Sequence, residues 1–261
     1  MEPRVVPAGH GWIWIAQGYA LFRKSPAAWL ALLLLLFASS KLLLGIPLLG
    51  LLFVLLMPIF IVGLMEGCRA LERGGALVPT HLLAGFHRNA AHLVTIGGVS
   101  LLGNLLLMMI VMTIGGESIT ALTKWLSQGT PPTPQAALEM QAAAREVMRA
   151  LLIGTVVSLP LLMALWYAPL LVYFNDLGPL QAMKASFVAC IRNVPAMFVY
   201  GLVIVAGMFL AMPFSMALRQ YDLALWLLSP IVLPSIYASY KDIFPAAAAP
   251  QPGTDSRGSE A

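Results

Sequence analysis

Long apolar runs alternate along this chain with short polar interruptions. The runs cover residues 27–44, 45–65, 92–115, 150–174, 196–218 and 223–240. About 20 helical residues cross the roughly 30 Å hydrocarbon core of a bilayer, so the pattern predicts six membrane-spanning helices. Lys41 marks a tight turn between the first two runs, its ammonium reaching out of the apolar layer.

The interruptions carry a pattern of their own. In the stretch 169–195, PLLVYFNDLGPLQAMKASFVACIRNVP, the chain breaks at Asn175-Asp176 and turns at Gly178-Pro179. It then predicts a short helix with Leu180, Met183, Phe187 and Ile191 on one face and Gln181, Lys184 and Arg192 away from it. Such a helix lies flat on a membrane surface. Two more are expected, one carrying Trp12, Ile15, Tyr19 and Phe22 and one carrying Leu82, Leu83, Phe86 and Arg88.

Each surface helix ends in a basic residue before the next span: Arg23-Lys24-Ser25, Arg88-Asn89-Ala90 and Arg192-Asn193-Val194. The spans that follow as second, fourth and sixth each hold two prolines: Pro47 and Pro58, Pro160 and Pro169, Pro230 and Pro234. These coincidences read as a threefold repeat of helical hairpins. The fold class expected is all-α: a polytopic membrane protein with six transmembrane helices as three hairpins and short amphipathic cytoplasmic surface helices.

The domain layout follows. Residues 1–26 are an amphipathic lead-in, 27–245 the six-span domain and 246–261 a disordered tail. The external loop covers about 116–149. It is expected to hold an interfacial helix after Glu117, a proline-rich linker over 128–135 and an alanine-rich helix from Ala136 to Arg149 that runs unbroken into the fourth span. Residues 219–222 form a tight external turn.

Composition sharpens this picture. Of 261 residues, 60% are hydrophobic and only 10% charged, against about 25% charged in soluble domains. Lipid must be the solvent for much of the chain. The net charge of +4 then speaks for anionic headgroups and against nucleic acid. With the N-terminus inside, ten of the Lys and Arg residues fall on the cytoplasmic side and five outside. That distribution puts both termini in the cytoplasm. Cys68 and Cys190 then lie in a reducing compartment with no metal or redox spacing.

The segments GWIWIAQGYALFRKSPAAWL, APLLVYFNDLGPLQAMKASFVACIRNVPA and PSIYASYKDIF together resemble a family of uncharacterised six-helix integral inner-membrane proteins of proteobacteria. That family is similar in layout to the membrane domain attached to some glycerophosphodiester phosphodiesterases. The resemblance implies an inner-membrane location and six spans. It brings no catalytic residues, and no soluble phosphodiesterase part is present.

Few side chains are candidates for chemistry. Asn104, with Ser100 one turn before it, reads as a helix-to-helix hydrogen bond or as a polar point on a substrate path. Glu66 reads as an ion pair with Arg69 three residues on, or as a carboxylate for proton coupling. Arg23, Arg88 and Arg192 are the candidates for binding headgroups. His81, His87 and His92 are spaced six and five apart, which puts no two on one helical face, so no metal is expected. No nucleophile motif occurs, and neither a cofactor nor an enzymatic activity is expected. The function expected is a non-enzymatic scaffold or envelope-homeostasis protein. The alternative is a permease for a lipid or a small amphipathic molecule. The partners expected are the bilayer, its anionic headgroups, and a membrane protein or a second copy of the chain.

Overall fold

A computed structural model describes residues 2–128, 133–218 and 223–245. The expected turn at 219–222, the tail at 246–261 and the centre of the proline-rich linker lie outside the described residues. Among those described, the chain is all helix with no strand. The helices are α1 (His10–Lys24), α2 (Pro26–Leu44), α3 (Pro47–Glu72), α4 (Ala84–His87), α5 (Ala90–Gln128), α6 (Pro134–Trp166), α7 (Ala168–Asn175), α8 (Pro179–Arg192), α9 (Val194–Ala217) and α10 (Leu223–Ile243). A 3₁₀ turn, Pro79–Leu83, leads into α4.

Six segments are long and apolar enough to cross a membrane: α2, α3, α5, α6 with α7, α9 and α10. They pack as the hairpins α2–α3, α5–α6 and α9–α10, with α3 also meeting α5, α7 and α10. Proline opens several of these helices, at Pro26, Pro47 and Pro134, where its missing N–H has no intrahelical role. Thr133 caps α6, its hydroxyl accepting from the Ala136 N–H at 3.3 Å. The fourth span is thus helical from Pro134 onward and continuous from there into the apolar run, as the alanine-rich sequence predicts.

Three boundaries differ from the sequence reading. Helix α3 continues to Glu72 instead of ending at Met65, so Glu66 and Arg69 stand on a helix. Helix α5 does not stop at Gly115-Gly116 but runs to Gln128, a length of about 58 Å at 1.5 Å per residue. A Cβ on Gly115 would lie 2.9 Å from the Ala150 Cβ of α6. The glycine is there for close helix approach, not for chain reversal. The fourth span is broken at Tyr167, between α6 and α7.

Two of the surface helices meet the rest of the protein through residues outside their apolar stripes. In α1 the buried face is Gly11, Trp14, Gly18 and Leu21, while Trp12 and Tyr19 are exposed. This helix packs across α9 and α10. A Cβ at Gly18 would come within 2.5 Å of the Ile231 carbonyl oxygen. In α8 the small residues Ala182, Ser186 and Ala189 face the protein, whereas Leu180 (64% exposed) and Ile191 (51%) face outward. Lipid is as apolar as leucine, so the apolar stripe gains nothing by turning inward and small residues take the contact.

Candidate functional site

A cluster of charged and hydrogen-bonding groups forms at the end of the helical body where α3, α7 and α10 finish and α5 begins. Helix α7 closes with Asp176 in the left-handed conformation (φ 55°), and the Leu177 N–H reaches back to the Leu171 carbonyl. Facing it, Asn89 at the start of α5 is also left-handed (φ 57°). The Asn89 amide donates to Asp176 Oδ1 at 2.7 Å and to the Val172 carbonyl at 2.9 Å. Arg88 donates from Nε to Asp176 Oδ1 at 3.1 Å and from Nη2 to Oδ2. The Arg88 guanidinium, and then the Asn89 amide, hold the Asp176 carboxyl below the usual carboxylate range.

Beside this clasp, Arg69 donates to Glu66 Oε1 from Nη2 at 2.7 Å and Nε at 3.2 Å, and its guanidinium lies 5.0 Å from the Phe174 ring centre. Glu72 accepts from Lys241 Nζ at 2.8 and 2.7 Å and from the Tyr237 hydroxyl at 3.2 Å. Lys24 at the end of α1 donates to the Leu71 carbonyl at 3.0 Å, a cation placed on the negative end of α3. The Tyr240 hydroxyl donates to Asn175 Oδ1. Rings of Phe174, Tyr240 and Phe244 stack successively beneath these groups.

The N-terminal segment is sewn onto the same end. The Arg4 N–H donates to the Ile243 carbonyl at 2.8 Å. Fully buried Asn193 accepts from the Val6 N–H at 2.8 Å and donates to the Arg4 carbonyl at 3.0 Å. Asp242 accepts from the Trp14 indole at 2.9 Å and is bonded to His10 Nδ1 at 2.6 Å. A groove of about 460 Å³ remains between α1, α10 and the end of α3.

Within the spans, polar groups are used on the helices themselves. Tyr167 N–H would ordinarily bond the Met163 carbonyl four residues back. Instead, the Ser186 hydroxyl sits between them, accepting from Tyr167 N–H at 2.9 Å and donating to Met163 O at 2.7 Å. A side chain inserted in the ladder is a recognised cause of a helix break. The Tyr167 and Tyr200 hydroxyls meet Ser239 and Ser235 of α10 at 3.0 and 2.6 Å. Pro230 leaves the Trp226 carbonyl without its helical donor, and Ser229 supplies one at 2.6 Å. Two cavities along the spans are almost wholly apolar: one of about 180 Å³ between α2, α3 and α10, the other of about 470 Å³ between α6, α8 and α9.

The residues singled out from sequence are therefore scattered. Glu66 pairs with Arg69. Asn104 is exposed on the outer side of α5 and donates to its own Ser100 carbonyl at 2.9 Å. Arg88 joins the clasp, Arg23 lies 5.8 Å from the Tyr19 ring centre, and Arg192 is exposed at the end of α8. His81 accepts from the Val78 N–H at 3.2 Å when its Nδ1 is unprotonated. Among the described residues no three metal-capable side chains come together. Burial pushes the Cys190 thiol up to about 12, which keeps it protonated and unreactive. Sequence reasoning missed Ser186, Asn193 and Asp242. Only Asn193 had a signal, its place beside Arg192 in the repeated motif.

The chain is similar to a probable inner membrane protein of Burkholderia thailandensis, with 30% identity over 256 residues that cover 92% of each chain. No family model matches it. No solved structure matches it either. The likeness to membrane domains attached to phosphodiesterases is not carried by these comparisons.

Proposed function

The chain belongs to the family of that inner membrane protein, and from this premise we propose that it is a non-enzymatic scaffold of the bacterial inner membrane. The observation carrying this reading is the distribution of polarity. Ionisable groups cluster at the helix ends, the Tyr167 and Tyr200 hydroxyls are spent on α10, those of Thr95, Thr113 and Ser158 on their own helices, and Asn104 turns outward onto its own backbone. A carrier for a polar solute needs polar side chains facing a cavity across the bilayer, and the cavities along these spans are almost wholly apolar. Its working surfaces would be the exposed apolar faces of α5, α6 and α9, which suit a membrane-protein partner or a second copy, together with the charged end facing anionic headgroups. Both termini would be cytoplasmic.

The 470 Å³ groove between α6, α8 and α9 supports the second reading, a permease for a lipid or amphipathic molecule. Reconstitution separates the two. The scaffold reading expects proteoliposomes to move labelled lipid between leaflets, and to release labelled amphiphiles, no faster than protein-free vesicles. Acceleration proportional to protein content would establish the permease instead.

A further inference from the structure

Helix α6 packs along α5 and α8, and α9 packs along α1 and α10. Between α6 and α9 lies the apolar groove of about 470 Å³. Its floor holds buried Tyr200 and Cys190, and its rims, Leu162 on α6 and Phe198 on α9, are exposed. The groove therefore opens sideways, toward lipid. Gly201 stands in the α9 wall, where a Cβ would meet nothing within 4 Å. Glycine weakens a helix interior, and this one serves no close helix contact, unlike Gly18 and Gly115. Its effect is to leave the groove open. On α9 the lining runs from Val194 to Val205, about 16 Å at 1.5 Å per residue. That is close to half of the roughly 30 Å hydrocarbon core, the depth of one leaflet.

The charge at the mouth of the groove has one sign. Val194 begins α9 directly after the corner from α8, and Arg192 closes α8. The Arg192 Cα is thus no more than about 7 Å from that of Val194, at 3.8 Å between successive Cα atoms, which puts its guanidinium within reach of the mouth. Of the three arginines expected to bind headgroups, Arg88 is spent on Asp176 and Arg23 lies against the Tyr19 ring. Arg192 is exposed and makes no hydrogen bond or ion pair among the described residues. The three elements forming the groove add no carboxylate near it: α8, α9 and α6 from Ala150 onward contain no acidic residue. We propose that the groove holds one acyl chain of an anionic phospholipid from the leaflet that α8 borders, with the headgroup phosphate on Arg192. The site rests on the chain's place in the membrane and not on the choice between scaffold and permease, because a groove one leaflet deep can hold a lipid without passing it across.

The test is lipid retention by the purified full chain in detergent, read by native mass spectrometry, with phosphatidylglycerol, phosphatidylethanolamine and water-soluble glycerophosphoglycerol as probes. The parent should retain phosphatidylglycerol over phosphatidylethanolamine. Arg192→Gln should lose phosphatidylglycerol about tenfold, the effect of one charge-assisted contact, and the preference with it. Gly201→Leu fills the groove and should lower retention of both lipids. Lys124→Gln, exposed near the far end of α5, should retain lipid as the parent does. Arg192→Gln breaks no bond within the described residues, so it reports on binding even if Gly201→Leu fails to fold. Equal retention of the two lipids by the parent, or parent-like retention in Arg192→Gln, would overturn the site. Glycerophosphoglycerol bound as tightly as the intact lipid would overturn the role of the groove. A dimer that Gly201→Leu dissociates would assign the groove to a second copy of the chain instead. Lipid transfer between leaflets is read separately in proteoliposomes, so the site and the choice between scaffold and permease fail independently.

Discussion

Asn89 and Asp176 are the two non-glycine residues with left-handed backbone among those described, and they are hydrogen-bonded to each other at 2.7 Å. Left-handed backbone costs an ordinary residue roughly 1–2 kcal/mol. Asn and Asp tolerate it because their short polar side chains can bond locally. Here each one turns the chain sharply at a helix end, and the two turns are locked together across the open end of the hairpin that α5 makes with α6 and α7. Arg88 completes the clasp.

This clasp predicts a pH dependence. Arg88 and Asn89 lower the Asp176 pKa in the folded protein, from an unfolded value of about 3.9. The folded state therefore gains stability that is fully present above that value and is lost as pH falls through the lowered one. Asp176→Asn should be less stable than the parent at neutral pH and converge with it in acid. Both partners are solvent-exposed, so salt should narrow the neutral-pH gap. Unfolding of the two proteins in detergent across the acid range checks this, and a gap that acid leaves unchanged would contradict it.

Ser186 predicts a structural effect with no charge involved. In Ser186→Ala the Tyr167 N–H and the Met163 carbonyl lose the hydroxyl that joins them. A buried group left unpaired costs about 1–3 kcal/mol. Thermal unfolding in detergent should show a loss of that order, partly restored in Ser186→Thr, which keeps a hydroxyl. Parent-like stability in Ser186→Ala would mean that the inserted hydroxyl does not support the break.

Close packing of α1 gives a third contrast. Gly18→Ala would place a Cβ 2.5 Å from the Ile231 carbonyl oxygen and 2.7 Å from Ser235, which are backbone and short side-chain atoms with little room to move. It should loosen α1 and expose Trp14, lowering the melting temperature and shifting tryptophan fluorescence. Gly201→Ala meets nothing within 4 Å and should be neutral or slightly stabilising.

The six apolar runs were legible because length and hydropathy alone decide whether a helix can cross a bilayer. The Glu66–Arg69 pair and the helical start of the fourth span were legible because both depend on local sequence. What escaped depended on neighbours. Gly115-Gly116 has the look of a break, and only the presence of Ala150 opposite makes it a contact. The stripe of Leu180 and Ile191 was visible, but its direction was not, because in lipid an apolar face can point outward without cost. Ser186 carries no local mark of its role, since its partners lie 19 and 23 residues away.

The topology gives a fourth expectation. Reporter fusions after Ser25, Gly74 and Gly178 should report the cytoplasm, and those after Lys41 and Thr133 the outside. The structure brings residues near the first three together at the charged end through the Lys24–Leu71 and Arg88–Asp176 contacts. Opposite signals from Gly74 and Gly178 would break that arrangement.

The central claim is that the body offers no polar path across the membrane. Water access along the spans tests it most directly. Cysteines can be placed singly along α3, α5 and α10 in a Cys68→Ala, Cys190→Ala background and labelled in native membranes with a small, water-soluble thiol reagent. The account predicts labelling only near the two ends of each helix and a protected middle, with position 104 protected as well. A labelled stripe running continuously through the middle of α3 and α10 would contradict it.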